Sequence, residues 1–269
     1  MSVKNLMART PSLQKLPIDE KTRFYCLTVG RTGSSLLCAI MADAGANFDM
    51  PPPDEWDWDV GEMEHPTVIE SENHFRRARA VKPGKAFFIL HRYLWDIRMH
   101  YAKRALRRIL ERARFVKACE PDEFVYWAYR MRFTPRIIIN YRKFEQFSPS
   151  TYLLSGMNLT DQGPRYDRYY RDGLFYAHIF GGCTVSFEEL TDLKETRWAK
   201  SLSAVTGLDE KALLASRKKR VGTQGRKNKD RPVFDSNDSK TTETYKMVSR
   251  FKGKVILPDP GLPIRLARK

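Results

Sequence analysis

The sequence predicts an α/β fold, a three-layer sandwich whose central sheet is mainly parallel. Three observations carry that expectation. Short β-prone runs alternate with longer helical ones along the chain, the order that yields parallel strands joined by crossovers. Residues 136–141 (RIIINY) form a near-continuous β-branched run, the composition of a strand buried on both faces. Residues 24–36 read as a strand, a tight glycine turn and a helix in immediate succession.

Residues 24–29 (FYCLTV) are the first strand, which runs into Gly30, and a helix starts at Ser34 with SSLLCAIMADAG. Residues 47–64 hold three successive prolines, place Trp56 and Trp58 among acidic side chains and show little periodicity. That composition predicts an irregular surface loop, the kind of segment that often carries function. Residues 86–90 (AFFIL) are expected to form a second buried strand, residues 96–113 an amphipathic helix, and residues 114–117 a third short strand. Residues 124–133 look helical, Pro135 breaks that helix, and the 136–141 strand is followed by another. Residues 163–178 are dense in tyrosine and arginine. Residues 183–187 look like a further strand, ahead of a helix that contains residues 198–205. The whole of 1–269 reads as a single domain with a polar leader (1–22) and a C-terminal extension (241–269). Residues 217–240 are basic, polar and poor in large apolar groups, which predicts a flexible loop or one ordered on binding.

With 269 residues, of which 42% are hydrophobic, the chain can bury a substantial core. No apolar run approaches the ~20 residues that a bilayer span requires. The N-terminal residues show neither an apolar h-region nor a small-residue cleavage site, so the expected location is cytoplasmic. Cys26, Cys38, Cys119 and Cys183 are scattered, with no CxxC pair and no Cys/His cluster. This predicts neither zinc nor a disulfide framework, only reduced thiols. A net charge of +16 calls for an anionic partner: nucleic acid, an acidic surface or a phosphorylated small molecule. Basic residues cluster at 76–79, 103–114 and 217–229, the second at the spacing of a solvated helix face.

A strand that enters a glycine turn and then a helix aims backbone N–H groups and the positive end of a helix dipole at one point, a ready site for phosphate. TVGRTGSSL, residues 28–36, has that architecture. Gly30 and Gly33 permit the tight backbone, Arg31 brings fixed charge, and Thr32, Ser34 and Ser35 bring hydroxyl donors. A Walker A loop would end in Gly-Lys-Ser/Thr. Here the cation precedes the second glycine and no lysine follows it, which weakens a nucleoside-triphosphatase or small-molecule kinase reading. A glycine turn without any ligand is the plain structural alternative.

The loop resembles the 5′-phosphosulfate-binding loop of sulfotransferases that use 3′-phosphoadenosine-5′-phosphosulfate (PAPS), whose form is T-Y-P-K/R-S/T-G-S/T-T/S-W/L. Thr28, Arg31, Thr32, Gly33, Ser34 and Ser35 match it, while Val29 and Gly30 replace the usual aromatic residue and proline. The family's 3′-phosphate motif, a strand ending in arginine with a serine eight residues on, is similar to Arg142 and Ser150, with Ser148 as a competing serine. Phe187, Glu188 and Leu190 stand where the family has tyrosine, glutamate and leucine, and Lys117 resembles a lysine near the donor. The basic run at 217–226 falls where many members close a loop over the nucleotide, which offers Arg217, Lys218 and Arg220.

The resemblance implies a P-loop-like sulfotransferase fold of the bacterial carbohydrate or small-molecule type. It implies PAPS as donor, 3′-phosphoadenosine-5′-phosphate (PAP) as product and no metal. The catalytic base in similar relatives is a Gly-x-x-Glu glutamate, which puts Glu64 first (after Gly61 in GEMEHP), His65 second and Glu62 third. By analogy the acceptor is a carbohydrate or glycolipid hydroxyl. Trp56, Trp58, Tyr166, Tyr169, Tyr170 and Tyr176 are available to stack on a sugar or to line a groove, or else to pack as core. The oligomeric state stays open, a homodimer included. Two rival readings remain, a P-loop kinase using ATP and a nucleic-acid-binding protein. The second rests on the overall charge and on the interleaved arginine and tyrosine of residues 165–176.

Overall fold

β1 (Thr22–Leu27) pairs on both edges, and everything else is built around it. In the computed structural model, which describes residues 18–27, 29, 32–54, 63, 65–79, 88–118, 121–222 and 239–251, four strands form one sheet in the order β2-β1-β3-β4. The other strands are β2 (Phe115–Ala118), β3 (Thr134–Tyr141) and β4 (Gly182–Ser186). All pairings are parallel, with Leu27 opposite both Ala118 and Ile139, and Tyr141 opposite Ser186. The chain is thus α/β with a parallel sheet, as its alternating pattern predicts.

Helices in chain order are α1 (Ser34–Asp43), α2 (Pro66–Arg79), α3 (Phe88–Arg112), α4 (Pro121–Arg130), α5 (Phe144–Ser155), α6 (Leu159–Phe180), α7 (Phe187–Thr191), α8 (Arg197–Thr206), α9 (Glu210–Gly222) and α10 (Ser239–Ser249). Strand residues alternate between the two faces. Phe24, Cys26, Phe115, Ile138 and Val185 join a core with residues of α1 and α8. Tyr25, Leu27, Val116, Ile137 and Ile139 join a second core with residues of α3, α4 and α6. The sheet is therefore buried on both faces, which is why its strands read as near-continuous apolar runs.

Two sequence expectations change. Residues 88–90 of the expected AFFIL strand form the first turn of the 25-residue α3, while residues 86 and 87 lie outside the described residues. A short apolar run does not distinguish strand from helix. No proline or glycine separates it from the periodic segment that follows, so the helix propagates back through it. The basic stretch expected as a loop starts as helix, since residues 217–222 complete α9 and residues 239–240 open α10; residues 223–238 lie outside the described set. Pro135 sits within the start of β3, and α4 already ends at Arg130.

β1 connects to β2 on one side, whereas β3 and β4 lie on the other. Connections leave β1 and β3 in opposite directions, and the crevice outside their carboxyl ends is the topological switch point where ligands of open α/β sheets bind. The amino edge of the sheet is closed by α3 and the segment after α1. Asn47 O accepts from the N–H groups of Arg114 and Phe115, both at 2.9 Å. Arg112 pairs with Asp49 at 2.9 Å.

Candidate functional site

α1 begins directly over the switch point with its N-terminus uncapped by any side chain and without an acidic residue in its first turn. The orphan N–H groups and positive dipole end of such a terminus suit an anion. Gly33 is the N-cap residue, in the left-handed region at φ +86°. A Cβ there would lie 2.2 Å from Cδ2 of Phe187, so conformation and space both demand glycine. Thr32, next to it, is fully buried, and its Oγ1 has no hydrogen-bond partner. A buried hydroxyl left unpaired costs about 1–3 kcal/mol, and an oxyanion at the α1 terminus would supply the missing acceptor.

β2 contributes the cation. Lys117 is buried, and its Nζ donates to Ser35 Oγ at 2.8 Å across the sheet face. Ser34, beside Ser35, is also buried. Thr32, Gly33, Ser34, Ser35 and Lys117 thus gather at the carboxyl edge. Thr28, Gly30 and Arg31 of the expected loop lie outside the described residues, as do Glu62 and Glu64.

Arg142 follows directly on β3, and its guanidinium lies over the Phe187 ring at 4.4 Å from its centroid, with Nε 3.3 Å from Gln146 Oε1. One aromatic ring therefore touches both the glycine of the loop and the arginine that follows β3. The two segments singled out separately in the sequence meet on Phe187, the first residue of α7. Ser148 and Ser150 are both buried on α5, and Ser148 Oγ is without a partner. Tyr166 donates to the Arg142 carbonyl at 2.7 Å and Tyr170 to the Asn140 carbonyl at 3.2 Å. These hydroxyls are buried, and burial pushes both well above the usual tyrosine range. They act as neutral braces of the strand end. With Tyr169 and Tyr176 also in the core, the tyrosines of α6 are packing groups.

Other predicted residues lie elsewhere. His65 is at the amino edge. Its Nδ1 accepts from Thr67 N–H at 3.1 Å and its Nε2 is 3.4 Å from the Asp49 carboxylate, which is itself bound to Arg112. Arg217 donates to the carbonyls of Asp192 (2.7 Å) and Leu193 (3.1 Å) and also to that of Glu195. It ties α9 to the turn ahead of α8. Arg220 is buried, and both its Nε and Nη2 reach Asp43 at 2.6 and 2.7 Å, while its Nη1 reaches Pro53 O at 3.1 Å. Lys218 is exposed on α9. A long basic run read from sequence hides this division, because the 3.6-residue period turns Arg217 and Arg220, three residues apart, inward and leaves Lys218 and Lys219 outside. Among the described residues no group of three or more His, Cys, Asp or Glu side chains is placed to hold a metal ion.

Against protein-family models, curated proteins and solved structures, the chain finds no match.

Proposed function

We propose that the chain is a sulfotransferase that moves a sulfuryl group from PAPS to an acceptor hydroxyl, on a P-loop-like sulfotransferase fold. The observation that carries this reading is the uncapped α1 terminus over the switch point, with the unpaired Thr32 hydroxyl and buried Lys117 beside it. A phosphate ester fits that set, since it supplies acceptors to Thr32, Ser34, Ser35 and the α1 amides and negative charge to Lys117. Arg142, held one ring away on Phe187, suits the second phosphate of the same nucleotide. The resemblance of residues 28–36 to the donor loop adds Arg31 and Thr28.

The reaction is a displacement at sulfur, parallel to phosphoryl transfer. The acceptor oxygen forms a bond to sulfur, the bond from sulfur to the bridging phosphate oxygen breaks, the acceptor proton passes to a base, and PAP leaves. Lys117, Arg31 and the preorganised α1 amides stabilise the charge gathering on the leaving phosphate. Glu64 is the base in this proposal; His65, bound to Asp49, has no part in it. A carbohydrate or glycolipid hydroxyl is the proposed acceptor, and a cytoplasmic location accompanies the reading. Among the described residues no helix is long and apolar enough to cross a membrane.

The test is a thermal-shift and calorimetric titration with PAP, beside ATP with magnesium and beside a short oligonucleotide. Stabilisation by PAP without magnesium supports the proposal. A response to ATP with magnesium or to the oligonucleotide, with none to PAP, removes it.

A further inference from the structure

The carboxyl half of β3 interrupts its apolar run with an amide. Asn140 is 1% exposed and follows Ile137, Ile138 and Ile139, all fully buried. Asparagine is a poor strand former, and a buried amide is costly unless both its ends are hydrogen-bonded. Here only one end is. Nδ2 donates to the Val185 carbonyl at 3.1 Å, and since a carbonyl can only accept, that bond fixes which way the amide faces. Oδ1, at the other end, has no hydrogen-bond partner among the described residues. The backbone carbonyl of Asn140 accepts separately from Tyr170, so the residue is held in place with one side-chain acceptor open.

Strand alternation says where that acceptor lies. Ile138 belongs to the core formed with α1, as do Val185 of β4 and Phe187. Asn140 is on the same face one step further along β3, opposite Val185. Arg142, two residues or about 7 Å beyond it, lies over Phe187. The pairing of β1 with β3 ends at Leu27 and Ile139, so Asn140 stands where β1 departs toward the glycine turn. Gly33 and Arg142 both border the Phe187 ring, which puts Asn140 at the foot of the gap between the two groups that suit phosphate, the α1 terminus with Thr32 and the Arg142 guanidinium. Thr32 does not serve Asn140, because its own hydroxyl is equally without a partner. A phosphate answers Thr32, which can donate. It offers nothing to Oδ1, because ionised phosphate oxygens only accept.

We propose that Asn140 reads the ribose of the nucleotide, its Oδ1 accepting a hydrogen bond from the 2′-hydroxyl, so that the site selects a ribonucleoside 3′,5′-bisphosphate over its 2′-deoxy counterpart. The inference rests on the donor reading above. In PAP both phosphates are carried by one sugar, at C3′ and C5′, so a group between the two phosphate sites meets that sugar. With those two oxygens esterified, the 2′-hydroxyl is the only hydrogen-bond donor that the ribose retains. The adenine amino group, the other donor of the molecule, is on the side of the base away from both phosphates. Binding gives Oδ1 the partner it lacks, whereas an analogue with hydrogen at C2′ leaves it buried and unpaired. A site built to hydrogen-bond a substrate hydroxyl discriminates strongly against the analogue without it.

The test is calorimetric titration of the full chain with PAP and with 2′-deoxyadenosine 3′,5′-bisphosphate, on the wild type and on Asn140→Leu, which keeps the size of the side chain and removes the amide. The wild type should bind PAP about fivefold or more tightly than the deoxy analogue, as one buried hydrogen bond implies. In Asn140→Leu the two affinities should converge to within about twofold, chiefly through loss of PAP affinity. A general loss of packing weakens both ligands alike and does not produce convergence. Equal affinity of the wild type for the two nucleotides overturns the inference and leaves the donor reading standing. Discrimination that persists in Asn140→Leu also overturns it, since the preference then comes from sugar pucker or from another residue. If Asn140→Leu does not fold, the wild-type comparison decides alone. Binding of neither nucleotide to the wild type removes the donor reading, and the inference with it.

Discussion

Phe187 lies between the glycine turn and the arginine that follows β3. Its ring blocks any side chain at position 33 and supports the Arg142 guanidinium. Gly33→Ala should destabilise the fold by about 1–3 kcal/mol through left-handed strain alone. Its PAP affinity should fall further than the stability loss explains, because Phe187 must move and take Arg142 with it. Chemical denaturation and calorimetry on the same variant separate the two effects, and PAP binding at wild-type strength would contradict the geometry. Thr32→Val makes an opposite pair of expectations. Without ligand the variant gains stability, up to about 1–3 kcal/mol, because an unpaired buried hydroxyl is removed. PAP binding weakens by roughly ten- to a hundredfold, as expected for one lost hydrogen bond to a charged group. A stability loss with unchanged binding would show that Thr32 has no ligand. For the base, Glu64→Ala should cut turnover and leave PAP affinity intact, whereas His65→Ala should leave turnover nearly unchanged, since its imidazole serves Asp49; steady-state rates on one acceptor distinguish these outcomes. Gly33, Ser34 and Ser35 were legible in the sequence because a glycine turn between strand and helix has few uses. The contact with Phe187 was not, since it joins positions 154 residues apart and no local pattern encodes it.

At the scale of elements, the legible parts were those with an unambiguous period. RIIINY could only be a buried strand, and it forms β3. AFFIL failed because its short length admits both periods, and the helical segment behind it decided the outcome. The basic run after residue 217 failed for a related reason. Sequence gives the charge of an arginine but not its partner, and Arg220 spends its charge on Asp43, far down α1 from the glycine turn. That pair gives a pH prediction. Burial works to raise the Asp43 carboxyl, but hydrogen bonds from Arg220 and Ser216 and the Arg220 charge outweigh it and hold the group below its usual range. A depressed carboxyl adds stability above its unfolded value of about 3.9, and the contribution disappears as pH falls through the lower folded value. Asp43→Asn should therefore be less stable than wild type at neutral pH, with the gap closing below about pH 4. Urea melts across that range check it, and a gap that widens with acid would refute the assignment. Ser186 is a second anchor of this kind, its Oγ capping α7 at the Glu189 N–H and donating to Glu188.

At the scale of the molecule, the +16 charge divides between interior and surface uses. Lys117 and Arg142 are buried at the carboxyl edge, while Arg76 and Arg77 on α2 and Arg104 on α3 are exposed. Exposed charges are screened beyond the Debye length, and buried ones much less. Raising salt from about 0.05 to about 0.5 M should thus weaken PAP binding less than tenfold. Calorimetric titrations at the two salt concentrations measure this, and a much larger loss would place PAP on the exposed charges instead. The sequence announced the fold class because every strand is buried on both faces. It concealed the strand order, which depends on which crossover passes over which strand.

That order has a consequence in time. β1 is the first of the described strands to be made, yet both its neighbours come from later in the chain, β2 beginning at residue 115 and β3 at residue 134. At a synthesis rate of roughly 5–20 residues per second, its edges wait several seconds for a partner. During that interval Phe24, Tyr25, Cys26 and Leu27, all destined for the core, have no sheet to join. A ribosome that stalls before residue 115 would hold a sticky, half-finished chain, and binding of a nascent-chain chaperone should peak over that window of lengths.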